Sequence, residues 1–157
     1  MTAVQPAIPP LAAGAPPLAI LIDYDGTISL TDVTDEVMAA HVPGVWEEAD
    51  ALYDAGRMGS RRLMAWEMDL VRADPAALLA TAAEQPHDEG FVPFVRRAQA
   101  AGIPIEIVSD GFGFFIEPAM ARLGVPELPV VTARTTFTSD RATIEFPNGH
   151  PTCLVCG

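Results

Sequence analysis

The first strong pattern along the chain is Leu18–Ile22, five apolar residues without alternation that end on Asp23. Such a run predicts a strand buried on both faces, as in a parallel sheet. A polar turn, Asp23-Tyr24-Asp25-Gly26-Thr27, follows it. From Thr31 to about Gln85 the apolar period becomes helical. Thr31 or Asp32 can cap a first helix with Val33, Val37 and Ala40 on one face, and Asp35 and Glu36 suit the positive end of its dipole. Pro43-Gly44 breaks that helix, and a second runs from Val45 to about Ala55 and stops at Gly56. A third starts near Ser60, where Leu63, Trp66 and Leu70 lie beside Met64, Met68 and Val71 in a broad apolar stripe. Pro75 suits the first turn of a fourth, which reaches about Glu84.

Beyond Pro86, Phe91, Phe94, Val95 and Ala98 recur at i, i+3, i+4 and i+7, and Gly102 is placed to cap that helix at its end. Ile103–Val108 reads as the next strand and delivers Ser109-Asp110-Gly111 to its end. Phe114–Leu123 reads as a helix stopped by Gly124, and Leu128–Thr132 as a third strand. Residues 135–138 and 142–146 read as a hairpin around Ser139-Asp140, with Ala142, Ile144 and Phe146 alternating. Strands alternating with helices predict an α/β fold, a Rossmann-like open parallel sheet. The helices of 31–85 are too long for a simple crossover and read as an inserted helical subdomain. The expected organisation is a flexible Pro/Ala-rich tail over 1–17, an α/β core over 18–30 and 86–157, and the helical insertion between them.

Composition narrows the partners. Of 157 residues half are apolar, enough for one core without disulfides. Nine basic residues against 21 acidic ones give a net charge of −12, which argues against nucleic acid or an anionic membrane as partner. All nine basic residues are arginines, so no step can use a lysine of this chain. There is no apolar run of about 18 residues, the length a membrane helix needs. The first 17 residues lack a basic start and are broken by prolines, so no secretory signal is expected. Two cysteines are too few for a disulfide scaffold and point to a reducing cytoplasm. His150, Cys153 and Cys156 offer three of the four ligands of a closed zinc site; two free thiols in a tail are the simpler reading.

Candidate chemistry gathers at the ends of the first two strands. In open parallel sheets ligands bind beyond the carboxyl ends of the strands. There Asp23 and Asp25 can divide the work, one attacking as a nucleophile and the other trading protons with a leaving group. Clustered carboxylates repel, and a hard cation such as Mg²⁺ relieves the repulsion. Gly26 lets the backbone turn tightly. Ser109-Asp110-Gly111, before a helix, offers a hydroxyl and backbone N–H groups to an anion. His41, His87, Trp46 and Trp66 read as packing or surface residues. Arg57, Arg61 and Arg62 could meet an anionic substrate, or form a solvated face.

These two motifs and the helical insertion resemble the haloacid dehalogenase superfamily of aspartate-based phosphatases. Val108-Ser109-Asp110-Gly111-Phe112 followed by Phe114-Phe115-Ile116 resembles its phosphoserine-phosphatase-like branch, and there the methionine-salvage phosphatases of 2-hydroxy-3-keto-5-methylthiopentenyl 1-phosphate. The resemblance covers about residues 18–157. It implies Asp23 as the nucleophile that forms an aspartyl-phosphate and as a Mg²⁺ ligand. It implies Asp25 as general acid and base, with its carbonyl on the metal. Ser109, Asp110 and Gly111, with Gly26, would hold the phosphoryl group, and the insertion would be a cap that closes over substrate. The family's lysine after the third strand and its aspartates after a fourth find no counterpart here, so the resemblance implies the N-terminal part of such an enzyme. Arg134 or Arg141 would be the substitute positive charge. The expected function is Mg²⁺-dependent hydrolysis of a small phosphorylated metabolite. The alternatives are an impaired form that at most binds phosphate, and a mutase-like transferase that shares the first motif.

Overall fold

In the computed structural model the described residues are 18–42, 44–138, 141–150 and Thr152. The proposed tail, Pro43, the Ser139-Asp140 turn and both cysteines lie outside the described residues. Ile20–Ile22 forms β1. Four helices follow: Val33–His41 (α1), Val45–Asp54 (α2), Ser60–Leu70 (α3) and Pro75–Ala83 (α4). Phe91–Ala100 (α5), Ile105–Phe112 (β2), Gly113–Leu123 (α6), Val130–Phe137 (β3) and Ala142–Glu145 (β4) complete the chain. The sheet order is β1-β2-β3-β4, parallel except for the β3–β4 pair.

The local causes match the chemistry of the sequence. Asp32 caps α1 by accepting the Asp35 N–H, and Asp74 caps α4 by accepting the Ala76 N–H, with Pro75 in the first turn. Gly124, at φ 78°, ends α6 in the left-handed conformation. The inserted helices share one apolar core with the sheet: Val33, Val37, Met64, Met68 and Leu78 are buried in the same cluster as Ile107, Phe112 and Phe115. α3 packs on β4, and α4 on α6. Tyr24, only 1% exposed, roots the first loop in that core, with its ring 6.0 Å from that of Phe115.

Three expectations need correction. β1 is not buried on both faces: Ile20 and Ile22 pack on the core, but Leu21 stands 66% exposed. Strand side chains alternate faces, and an unbroken apolar run does not reveal which faces are covered. Ser109-Asp110-Gly111 is not a turn after a strand that stops at Val108; it belongs to β2. There the register slips: from Val108 to Phe112 β2 advances four residues while β3 advances two, from Val131 to Ala133. This irregularity re-aims the segment, as bulges do. Finally, the third strand and the first arm of the hairpin are one strand, β3, because Ala133 and Arg134 continue the ladder from β2 into β4.

Candidate active site

Two neighbouring strand ends build the site, since β1 and β2 pair directly. The loop after β1 is folded on itself. The Tyr24 carbonyl accepts the N–H groups of Thr27, Ile28 and Ser29 at 3.2, 2.9 and 3.0 Å, and the Ser29 hydroxyl donates to it at 3.0 Å. Gly26 sits at φ 65°, where other residues are strained. Its N–H donates to the Thr31 carbonyl at 3.1 Å, so in this conformation that donor is engaged within the loop. The Tyr24 hydroxyl meets His87 Nε2 at 3.0 Å, which gives His87 a structural role. His41 likewise joins α1 to α4 through Thr81, at 2.8 Å.

Asp23 is exposed, and its Oδ1 accepts the Tyr24 N–H at 2.7 Å. Asp25 is half-buried and held from two sides. Its Oδ1 accepts the Val33 N–H at 2.8 Å, and its Oδ2 accepts the Thr34 hydroxyl at 3.3 Å. Burial and then the charge of Asp32 push its carboxyl up to about 7, against the downward pull of those two bonds. Gly111 passes so close that a Cβ there would lie 2.5 Å from Asp25 Oδ2 and 3.1 Å from Ser109 Oγ. Only glycine allows this approach of β2 to the first loop. The Ser109 side is buried, and its Oγ accepts the Gly111 N–H at 3.0 Å, which leaves its own proton to donate. Thr132 on β3 fixes the segment by donating to the Gly111 carbonyl at 2.7 Å. The structure thus brings Asp25, Ser109 and Gly111 together, with Asp110 exposed beside them.

Between this floor and the helices lies a cavity of about 260 Å³. Asp25, Asp32 and Asp110 line its floor. Asp35, Asp50, Asp54 and Glu67 line the helical side. No arginine or histidine is among the lining residues. Asp23 stands outside this wall. Glu67, on α3, is a residue that sequence reasoning missed. It is only 3% exposed, and burial, then Asp35 and Asp50, push its carboxyl up to about 8. The signal was present: Glu67 falls between Met64 and Met68, on the stripe that should be apolar. Burial and Asp32 also raise Asp35, to about 6. The Trp46 indole N–H lies near enough to favour ionised Asp35, yet it meets no described acceptor in hydrogen-bond geometry.

The arginines are elsewhere. Arg61 lies over the Phe146 ring, 5.1 Å from its centre, and donates to the His150 carbonyl at 3.1 Å. Arg134 and Arg141 line separate clefts. For a divalent cation the described donor set is Asp23 and Asp25, hard oxygen donors at one strand end. Among the described residues no group of three carboxylate, imidazole or thiolate side chains is placed to hold a metal. One or two carboxylates, completed by water and substrate phosphate, are what Mg²⁺ commonly takes, so the pair fits it. No helix among the described residues is long and apolar enough to cross a membrane.

A family model described as haloacid dehalogenase-like hydrolase matches residues 20–151. The chain is 27% identical over 135 residues to a 2-hydroxy-3-keto-5-methylthiopentenyl-1-phosphate phosphatase of Brevibacillus brevis, covering 83% of this chain and 60% of that protein. It is 30% identical over 140 residues to the protein of the same name in Geobacillus thermodenitrificans, with the same coverage. The chain therefore spans about 60% of the length of these curated relatives. Among solved structures, a hydrolase from Salmonella enterica serovar Typhi superposes with a TM-score of 0.71 at 18% identity, over 84% of this chain and 47% of that one. A phospho-aspartyl intermediate analogue of phosphoserine phosphatase gives 0.66 at 17% identity, over 83% and 63%. At these identities the structural likeness speaks for the fold.

Proposed function

Starting from the fact that the chain belongs to the haloacid dehalogenase-like hydrolase family, we propose that it hydrolyses a small phosphorylated metabolite with Mg²⁺. The curated relatives support the reaction class, since they are named as phosphatases of a phosphorylated metabolite. The observation that carries the reading is Asp25: a half-buried carboxyl poised at about 7, held by Val33 and Thr34. A group with a pKa near neutrality is suited both to give and to take a proton at neutral pH.

Asp23, two residues earlier and exposed to solvent, is the nucleophile. One carboxylate oxygen attacks phosphorus, the bond to the leaving oxygen breaks, and Asp25 gives that oxygen its proton. Asp25 then takes a proton from water, which attacks the aspartyl-phosphate and releases Asp23. Ser109 donates its hydroxyl proton to a phosphoryl oxygen and orients it. Asp23, with the carbonyl of Asp25, would hold the Mg²⁺. Bound there, the ion supplies charge neutralisation for attack of one anion on another, which matters because neither lysine nor an arginine lines the cavity. The helices of 31–85 act as the cap that keeps water from the reacting group.

The test is Mg²⁺-dependent hydrolysis of an aryl phosphate. Asp23→Asn abolishes turnover, and beryllofluoride with Mg²⁺ places its adduct on Asp23. Asp25→Asn lowers turnover by about 10²–10⁴-fold, the usual worth of a positioned acid and base. An adduct on another residue, or full turnover by Asp23→Asn, removes the reading.

A further inference from the structure

Nine arginines carry the basic charge of a chain whose net charge is −12, and two of them, Arg72 and Arg141, line one cleft of about 290 Å³. This cleft shares no lining residue with the cavity above Asp25, and none of its lining residues is acidic. Its apolar lining includes Val71 and Ala142, both buried, and the partly buried Phe137.

The two arginines come from different parts of the fold. Arg72 lies in the link from α3 to α4, within the helical insertion, and Arg141 stands directly before β4, on the hairpin of the sheet. α3 packs on β4, which brings link and hairpin together. Each arginine is anchored and keeps donors to spare. Arg72 Nη1 donates to the Asp69 and Val71 carbonyls at 2.5 and 2.9 Å, which fixes the guanidinium and leaves its Nε and Nη2 without a described partner. The main chain of Arg141 is clasped by Thr138, whose hydroxyl donates to the Arg141 carbonyl at 3.0 Å, while no described group meets its guanidinium. Neither arginine pairs with a described carboxylate, and Asp74, two residues after Arg72, is engaged as the cap of α4. The site takes nothing from Ser139 or Asp140, which lie outside the described residues.

Two guanidinium groups in one cleft without an acid repel each other, and an anion between them removes the repulsion and takes up the spare donors. A carboxylate offers two oxygens and is matched by a single guanidinium fork. A phosphoryl group offers three and can accept from both sides at once. We propose that this cleft binds a phosphoryl group between Arg72 and Arg141, and that the bound anion ties the helical insertion to the hairpin. The inference goes beyond the phosphatase reading and stands without it, since it uses none of the residues around Asp25.

The test titrates the full chain calorimetrically with inorganic phosphate, in EDTA and at constant ionic strength. Wild type binds phosphate. Arg141→Gln, whose side chain has no partner to lose, weakens binding by about tenfold or more, the worth of a charge-assisted hydrogen bond, and Arg72→Gln does the same. Circular dichroism checks that both variants fold. Hydrogen exchange locates the ion: with phosphate at about twice its measured Kd, amides of the α3–α4 link and of the start of β4 exchange about threefold more slowly in wild type, and at an unchanged rate in Arg141→Gln. Phenylphosphonate carries the same anion on an apolar body. Tighter binding of it than of phosphate assigns the cleft to an organic phosphate lying on Val71 and Phe137; binding no tighter assigns it to the free ion, and both results uphold the site. Absence of phosphate binding, binding unmoved in both arginine variants, or acetate bound as tightly as phosphate overturns the proposal. Binding lost in Ser109→Ala and kept in both arginine variants places the anion at the strand ends and overturns it as well.

Discussion

Glu67 shows at the scale of single residues how far the chain can be read and where reading stops. Asp23, Asp25, Ser109 and Gly111 stand out because short polar motifs follow apolar runs, and such punctuation survives in one dimension. Glu67 was hidden because a glutamate on a helix reads as solvent-facing by default, and its burial follows from how α3 turns towards β4 and α2. That burial carries a cost that depends on pH. Its carboxyl lies at about 8 in the folded chain against an ordinary 4.5, so the folded state holds the proton more tightly. The stability is therefore fully present below about pH 4.5 and is lost as pH rises towards 8, at up to about 1.4 kcal/mol per unit crossed. Asp35 adds to the same slope over its lower range, up to about 6. Urea unfolding at pH 5 and pH 8 should show wild type losing stability with rising pH, and Glu67→Gln losing less. Equal slopes would mean that Glu67 is ionised and solvated. Gly111 makes a different demand. Gly111→Ala would put a methyl 2.5 Å from Asp25 Oδ2, so the carboxyl or β2 must move. The expected cost is about 1–3 kcal/mol, the usual range for overpacking. Turnover should fall by more than that loss of stability explains, by tenfold or more. Unchanged melting and unchanged turnover would mean that the two strand ends do not touch.

Among the elements, helices were the most legible because their caps and breakers are local. Asp74-Pro75 and Gly124 mark ends that tertiary packing did not shift. Asp74→Ala should cost about 1 kcal/mol, the typical worth of an N-cap, through the lost bond to the Ala76 N–H at 2.9 Å. Urea unfolding measures it; a change within about 0.3 kcal/mol would show that α4 is held by Leu78 and Ala82 in the core and not by its cap. Strand limits were less legible. The slip between Val108 and Phe112 depends on what β3 offers opposite, and nothing in Ser109-Asp110-Gly111 alone distinguishes a bulged strand from a turn. That difference has a functional side: a strand that carries Ser109 and Gly111 holds them more rigidly against Asp25 than a free loop would.

For the whole molecule, the alternation of strands and helices was enough to read an open α/β sheet, but not which sides of it would be covered. β1 pairs with β2 and, among the described strands, with no other. Leu21 on β1 and Leu18 just before it are 66% and 47% exposed, and Phe94 on α5, 45% exposed, lines one cleft with Ile20. Backbone groups without a strand partner among the described residues, beside apolar side chains, form a template for another strand, and proteins with such an edge associate unless it is charged or covered. Net charge opposes this, since −12 keeps copies apart at low salt. Attraction at this edge and repulsion between whole molecules oppose each other, and salt decides between them, because a Debye length near 10 Å at about 0.1 M shrinks to about 3 Å at 1 M. Light scattering should therefore find this 157-residue chain smaller at low salt and associated at high salt. Leu21→Lys puts a charge at the centre of the edge without touching Ile20 or Ile22 on the core face, and should keep the chain monomeric at both salt concentrations. A wild-type chain that scatters as a monomer at 1 M salt would show that β1 is not an adhesive edge. Association that persists in Leu21→Lys would place the contact elsewhere on the molecule.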